Sequence, residues 1–200
     1  MEITLIFASA LGYSIYAIYK FGVSKFSKII LISLIGTLLL TISAKIKIPF
    51  YPVPMTMQTF VVLFIGITLG AKVGLVTVIL YLLEGIVGLP VFANSPEKGA
   101  GLIYFFGPTM GYLIGFLVAV YLAGSFKYDK GIVNTFLKLI FSVSFIYILG
   151  LIWLGTLIGW DKPIFKLGAE PFLLAELLKM LLLLFLTPTL LKAKKLIKIT

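Results

Sequence analysis

Glu176 and Lys179 are ionisable residues set inside a long apolar run, Pro171 to Leu191. A carboxylate or an ammonium at the centre of a membrane helix costs roughly 2.5–3.5 kcal/mol on insertion scales. Such groups usually face a cavity or a partner. At a spacing of i, i+3 the two share one helical face and can neutralise each other. Two roles fit that chemistry. The pair can be a structural ion pair between helices, or it can offer an acceptor and a donor to a polar ligand. Glu84 sits late in a different apolar run, so nothing pairs it with Glu176 in the manner of two glycosidase carboxylates.

Other chemistry is excluded by what the chain lacks. Its 200 residues contain no Cys and no His, which removes disulfides, thiolate nucleophiles and the usual nitrogen and sulfur ligands of zinc. No G-x-x-x-x-G-K-[ST], H-E-x-x-H or G-x-S-x-G occurs, so the chain carries no P-loop ATPase site and no familiar hydrolase site. G-P-T-M-G-Y-L-I-G, beginning at Gly107, is not a dinucleotide loop: the spacing differs from G-x-G-x-x-G and no strand precedes it. Gly107, Gly111 and Gly115 share one face and predict close helix packing instead.

The elements that must position the pair are membrane helices. The chain is 61% hydrophobic, well above the 45–50% of soluble domains, and a span needs about 20 mostly apolar residues. The fold class is therefore an all-α integral membrane bundle, with no room for a separate soluble domain. Ile3 to Tyr19 is an uncharged run just long enough to span, and the absence of Lys before Lys20 argues against a secretory signal peptide. Ile29–Ala44, Met57–Gly70, Val73–Val87, Phe105–Phe126, Ile132–Trp160 and Pro171–Leu191 are six further runs. The predicted division is 1–27, an extra hydrophobic helix and basic linker, and 28–200, a six-helix domain. Between the first two of the six lies K-I-K-I-P-F-Y-P-V-P-M-T. Pro49, Pro52 and Pro54 remove donors and fix φ, which predicts a rigid extended loop. It is apolar, and irregular backbone at membrane depth is tolerated where it lines a cavity.

All 17 basic residues are Lys and the net charge is +10. The lysines fall between apolar runs, which points to anionic headgroups of the lipid bilayer and not to nucleic acid. Ten (Lys20, Lys25, Lys28, Lys72, Lys127, Lys130, Lys192, Lys194, Lys195 and Lys198) fall on one side. Five (Lys45, Lys47, Lys98, Lys162 and Lys166) fall on the other. The positive-inside rule then puts the C-terminus in the cytoplasm and the proline loop outside. Glu176 and Lys179 lie roughly 8 and 12 Å below the outer end of their helix at 1.5 Å per residue. The polar loops and the pair converge on one half of the bilayer, which favours a ligand pocket.

Four motifs in order, Y-P-V-P-M-T-M-Q-T-F (from Tyr51), G-L-P-V-F-A (from Gly88), G-P-T-M-G-Y-L-I-G-F (from Gly107) and P-F-L-L-A-E-L-L-K (from Pro171), resemble the BioY family. BioY proteins are biotin-binding S components of energy-coupling factor (ECF) vitamin transporters. The resemblance spans about Lys28 to Lys195. It implies a six-helix S-component fold in a bacterial-type plasma membrane, with capture of biotin from outside. It also implies a transmembrane T component and two ABC-type ATPases as partners, with no cofactor and no catalysis in this chain. By the same resemblance Pro52 and Pro54 belong to a lid, and Thr56, Gln58 and Asn94 lie near the ligand. Glu176 and Lys179 match the family's D-x-x-K pair, with Lys179 able to meet the biotin carboxylate. Trp153 or Tyr112 can line the apolar middle. Ser33-x-x-x-Thr37 stands where the family has A-x-x-x-A for docking on the T component, and Ala175-Glu176 stands for its usual G-D. The run Ile3–Tyr19 has no counterpart in the six-helix core. Two other readings remain open: an S component for another small vitamin, and an intramembrane enzyme using Glu176 and Lys179 as acid and base.

Overall fold

The computed structural model describes residues 24–49, 51–97 and 99–197, so the expected extra helix Ile3–Tyr19 lies outside the described residues. The first helix, α1 (Lys25–Lys45), is capped by Ser24, whose hydroxyl accepts from the Ser27 amide at 3.2 Å. This cap starts the helix one turn before the apolar run. One face of α1 is buried (Ile32, Ser33, Thr37, Leu40, Ala44), while Leu31, Leu34, Leu38 and Ile42 point outward.

The proline-rich segment is not wholly irregular. β1 (Lys47–Ile48) pairs antiparallel with β2 (Met55–Thr56), in register Lys47 with Thr56 and Ile48 with Met55. The three prolines occupy the tip between the two short strands, where no ladder donor is needed.

The next helical stretch, α2 (Gln58–Ile86), breaks at Gly70, whose φ of 79° and ψ of 172° are not helical. The break reverses the chain. The Gln58 amide donates to the Tyr81 hydroxyl at 2.8 Å, although a straight helix would hold residues 23 apart about 35 Å from each other. A Cβ built on Gly74 would lie 3.6 Å from the Gly66 Cα, which again requires the two arms to run side by side. Gly66, Gly70 and Gly74 therefore form a helical hairpin, and the two apolar runs expected around Lys72 are its arms.

Beyond Val87 the chain forms a loop and a 3-10 turn, Gly101–Phe106, before α3 (Met110–Ser125). Within the turn Tyr104 is buried, and Leu102, Ile103 and Phe106 are exposed. The apolar run read from Phe105 thus becomes helix only after Gly107-Pro108. α3 lies against α4 (Gly131–Ile158) through its glycines, since a Cβ on Gly115 would stand 2.6 Å from the Ile146 Cα. A short α5 (Ile164–Gly168) and a second 3-10 turn (Glu170–Phe172) lead into α6 (Leu173–Ile197). Pro171 lies within that turn and does not begin the long helix.

Among the described residues, Phe26–Lys45, Gln58–Ile86, Gly131–Ile158 and Ile164–Lys195 are long and apolar enough to cross a membrane, and Met110–Ser125 is a shorter apolar helix. Length alone would make Gln58–Ile86 a single span, but the reversal at Gly70 folds it into two helical arms. The core runs between the hairpin, α3, α4 and α6, and includes Leu63, Ile67, Val78, Val120, Ile146 and Leu183.

Candidate ligand-binding site

At the end of the bundle that carries the β-ribbon, a cavity holds about 580 Å³ of space free of protein atoms, its mouth included. The ribbon contributes Val53, Pro54, Met55 and Thr56, and the loop after α2 contributes Phe92 and Ala93. Glu176 and Lys179 line it from α6. Gly168 and the turn at Glu170–Phe172 set the entry of α6, with the Tyr112 hydroxyl donating to the Gly168 carbonyl at 2.8 Å.

The two charges are 2% and 7% exposed and form one network. The Lys179 ammonium donates to the Thr56 carbonyl (2.7 Å), the Thr59 hydroxyl (3.0 Å) and Glu176 Oε2 (3.3 Å). An ammonium has three protons to give, so Lys179 is fully committed within the chain. Oε2 of Glu176 accepts from Thr59 (2.9 Å), Tyr147 (3.0 Å) and Lys179. The other oxygen, Oε1, is buried with no partner in the protein. A buried acceptor left unpaired costs about 1–3 kcal/mol. The carboxylate thus has a structural oxygen and a free one.

Above that polar floor the walls are aromatic. Phe92 stacks on Tyr104 with ring centroids 4.7 Å apart and meets Tyr81 edge-on at 5.3 Å. Tyr112 and Tyr147 meet edge-on at 6.2 Å. Burial pushes the Tyr104 phenol above its ordinary pKa, so it stays neutral. Gln58 is buried at the rim of the hairpin. Its amide nitrogen serves Tyr81, and its Oε1 is 3.3 Å from the Thr56 hydroxyl. The site suits a ligand with an N–H donor for Glu176 and an apolar body for the rings. Among the described residues no group of three or more His, Cys, Asp or Glu side chains could hold a metal.

The structure brings Thr56, Gln58, Glu176, Lys179 and Pro54 to the cavity, together with Tyr112. It places five other expected residues elsewhere. Asn94 stands behind the wall, its Oδ1 accepting from Lys47 at 3.2 Å, and its neighbours Phe92 and Ala93 are the ones that line the space. The Trp153 indole donates to the Gly107 carbonyl at 2.9 Å and fastens the turn before α3. Pro52 lies outside the lining, toward the ribbon tip. Ser33 and Thr37 face α2: the Thr77 hydroxyl donates to Ser33 at 3.2 Å, and Thr37 donates to Glu84 at 2.9 Å. Sequence reasoning missed Thr59 and Tyr147. Thr59 follows Gln58 directly on the hairpin, whereas nothing in its surroundings distinguishes Tyr147 from the other nine tyrosines.

Known proteins resemble this chain along most of its length. The BioY family model matches residues 6–196, a range that includes most of the run Ile3–Tyr19. A "Probable biotin transporter BioY" from Pyrococcus horikoshii is 35% identical over 141 residues, covering 70% of this chain and 82% of that protein. A "Biotin transporter BioY" from Thermotoga maritima is 35% identical over 147 residues, covering 73% and 85%. Among solved structures, the S-component for biotin from an ECF-type ABC transporter matches with a TM-score of 0.69 at 26% identity, covering 83% of this chain and 92% of that one.

Proposed function

The chain belongs to the BioY family, and from that membership we propose that it is the biotin-binding S component of an ECF-type transporter. One observation carries the chemical side of this reading: the unpaired, buried Oε1 of Glu176 on the floor of an aromatic-walled cavity. Biotin offers two ureido N–H donors, a carbonyl, an apolar chain and a carboxylate. A ureido N–H meets the free carboxylate oxygen, a charge-assisted bond. The bicyclic body lies against Phe92, Tyr104 and Tyr112, and Gln58 supplies a further amide. With its three protons committed to Thr56, Thr59 and Glu176, Lys179 does not hold the biotin carboxylate. It fixes the acid and the ribbon instead.

Six membrane helices follow if each arm of α2 is counted with α1, α3, α4 and α6. The lysine distribution supports a cytoplasmic C-terminus and capture from the outer side. A chain without a P-loop relies on two partner ATPases and a T component for energy. Because Ser33 and Thr37 are turned toward α2, the T component docks beside them, along the outward Leu34 and Leu38 of α1.

Calorimetric titration of the purified protein with biotin and with other vitamins tests the reading. Saturable biotin binding in the nanomolar range, about 12 kcal/mol, is the expected result. Absence of saturable biotin binding at micromolar concentration, or tighter binding of another vitamin, would overturn it.

A further inference from the structure

Two lysines outside the cavity lining, Lys45 at the end of α1 and Lys47 on β1, reach across to the loop after α2. Lys45 donates to the Phe92 and Ser95 carbonyls at 2.8 and 2.7 Å. Lys47 donates to the Ala93 carbonyl at 2.7 Å and to Asn94 Oδ1 at 3.2 Å. Four consecutive residues, 92 to 95, are thus gripped by two ammoniums. The first two of them form a cavity wall.

Lys45 is exposed and Lys47 half-buried, yet both are tied to backbone carbonyls. Among the described residues the ion pairs are Asp161 with Lys162 and Glu176 with Lys179. Lys45 and Lys47 instead satisfy carbonyls of a segment that has few backbone partners of its own, such as the bond from the Ser95 amide to the Phe92 carbonyl. Hydrogen bonds in which one member is ionised are shorter and stronger than neutral ones. Lys47 also pairs in register with Thr56, and the Thr56 carbonyl accepts from Lys179 on α6. A single rung of the ribbon is therefore fastened on one side to the 92–95 wall and on the other to the cavity floor.

We propose that Lys45 and Lys47 are the latch of the cavity: they hold the 92–95 wall against the ribbon and so set how long the ligand stays. They act as positioning residues through the loop and do not touch the ligand. The effect on the ligand rests on the biotin-binding reading, whereas the effect on the loop does not.

The test compares the full-length protein with the double variant Lys45→Met, Lys47→Met, which keeps the apolar stems and removes the donors. Release of radiolabelled biotin and amide hydrogen exchange of the 91–97 segment without ligand are measured on both. The expected result is biotin dissociation at least tenfold faster, with association changed less than threefold. Exchange should rise at least tenfold in 91–97 and in the ribbon, and not in α3 or α4. Dissociation within twofold of the parent overturns the latch. So does faster dissociation with unchanged exchange, which would mean that the lysines contact the biotin carboxylate directly. Faster exchange throughout the bundle, in the double variant and in both single variants, assigns them a general stabilising role and also overturns it. If the parent protein binds no biotin, the function proposed above fails, and exchange in 91–97 alone decides the latch.

Discussion

At the scale of residues, the site turns on the two oxygens of Glu176. Oε2 is saturated by Thr59, Tyr147 and Lys179, and Oε1 has no partner in the protein. Glu176→Gln keeps the shape, removes the charge and strands a buried ammonium. It should raise the biotin Kd at least tenfold and cost about 3 kcal/mol of stability, read by titration and thermal unfolding. Lys179→Ala should cost at least about 2–3 kcal/mol of affinity, because it unpairs both the acid and the Thr56 carbonyl. If affinity survives while thermal stability falls, the pair is structural only. Tyr147→Phe removes one of three donors to the structural oxygen, and a loss of about 1 kcal/mol in affinity is expected. The spacing of Glu176 and Lys179 made the pair legible in sequence. Its division of labour was not, since the carbonyl that occupies Lys179 lies 123 residues away. Asn94 and Trp153 lie outside the cavity lining for a related reason. Asn94 Oδ1 accepts from Lys47 and the Trp153 indole donates to Gly107, contacts that only the folded chain creates.

At the scale of elements, glycine decides the geometry. Gly70 reverses the chain with φ at 79°, a conformation that side chains rarely adopt. Gly70→Ala should destabilise by about 1–3 kcal/mol, measured by denaturant unfolding. Gly115→Ala would push a methyl to within 2.6 Å of the Ile146 Cα, and overpacking of that kind costs about 1–3 kcal/mol. The helical runs could be read from apolar length, and the runs on either side of Lys72 do correspond to the two arms. The ribbon could not be read. Its strands are two residues each, too short to show alternation, and the three prolines mask them. The start of α3 slipped from Phe105 to Met110 because Gly107 and Pro108 end an apolar turn that composition alone does not separate from the helix.

At the scale of the molecule, membership of a transport family and a bundle of apolar helices account for a chain that holds a ligand but carries no nucleotide site. Purified alone it should bind biotin and hydrolyse no ATP, whereas uptake should appear only when T-component and ATPase subunits are supplied. Deleting residues 1–19 should leave biotin binding intact if that run is peripheral to the site. A loss of binding in a well-folded truncation would show that it is not. The 3-10 turn before α3 has a further consequence. It places Tyr104 in the cavity wall while Leu102, Ile103 and Phe106 face outward. α3 has 16 residues, about 24 Å of helix, which is less than the roughly 30 Å of hydrocarbon in a bilayer. On the proposed topology the exposed trio would continue its apolar girdle toward the headgroups. On the proposed reading, acyl chains would lie on one side of these six residues and the vitamin on the other, so acyl-chain length should be a variable of recognition. Biotin affinity measured in nanodiscs of graded thickness should pass through an optimum, where the mismatch that strains this turn is least.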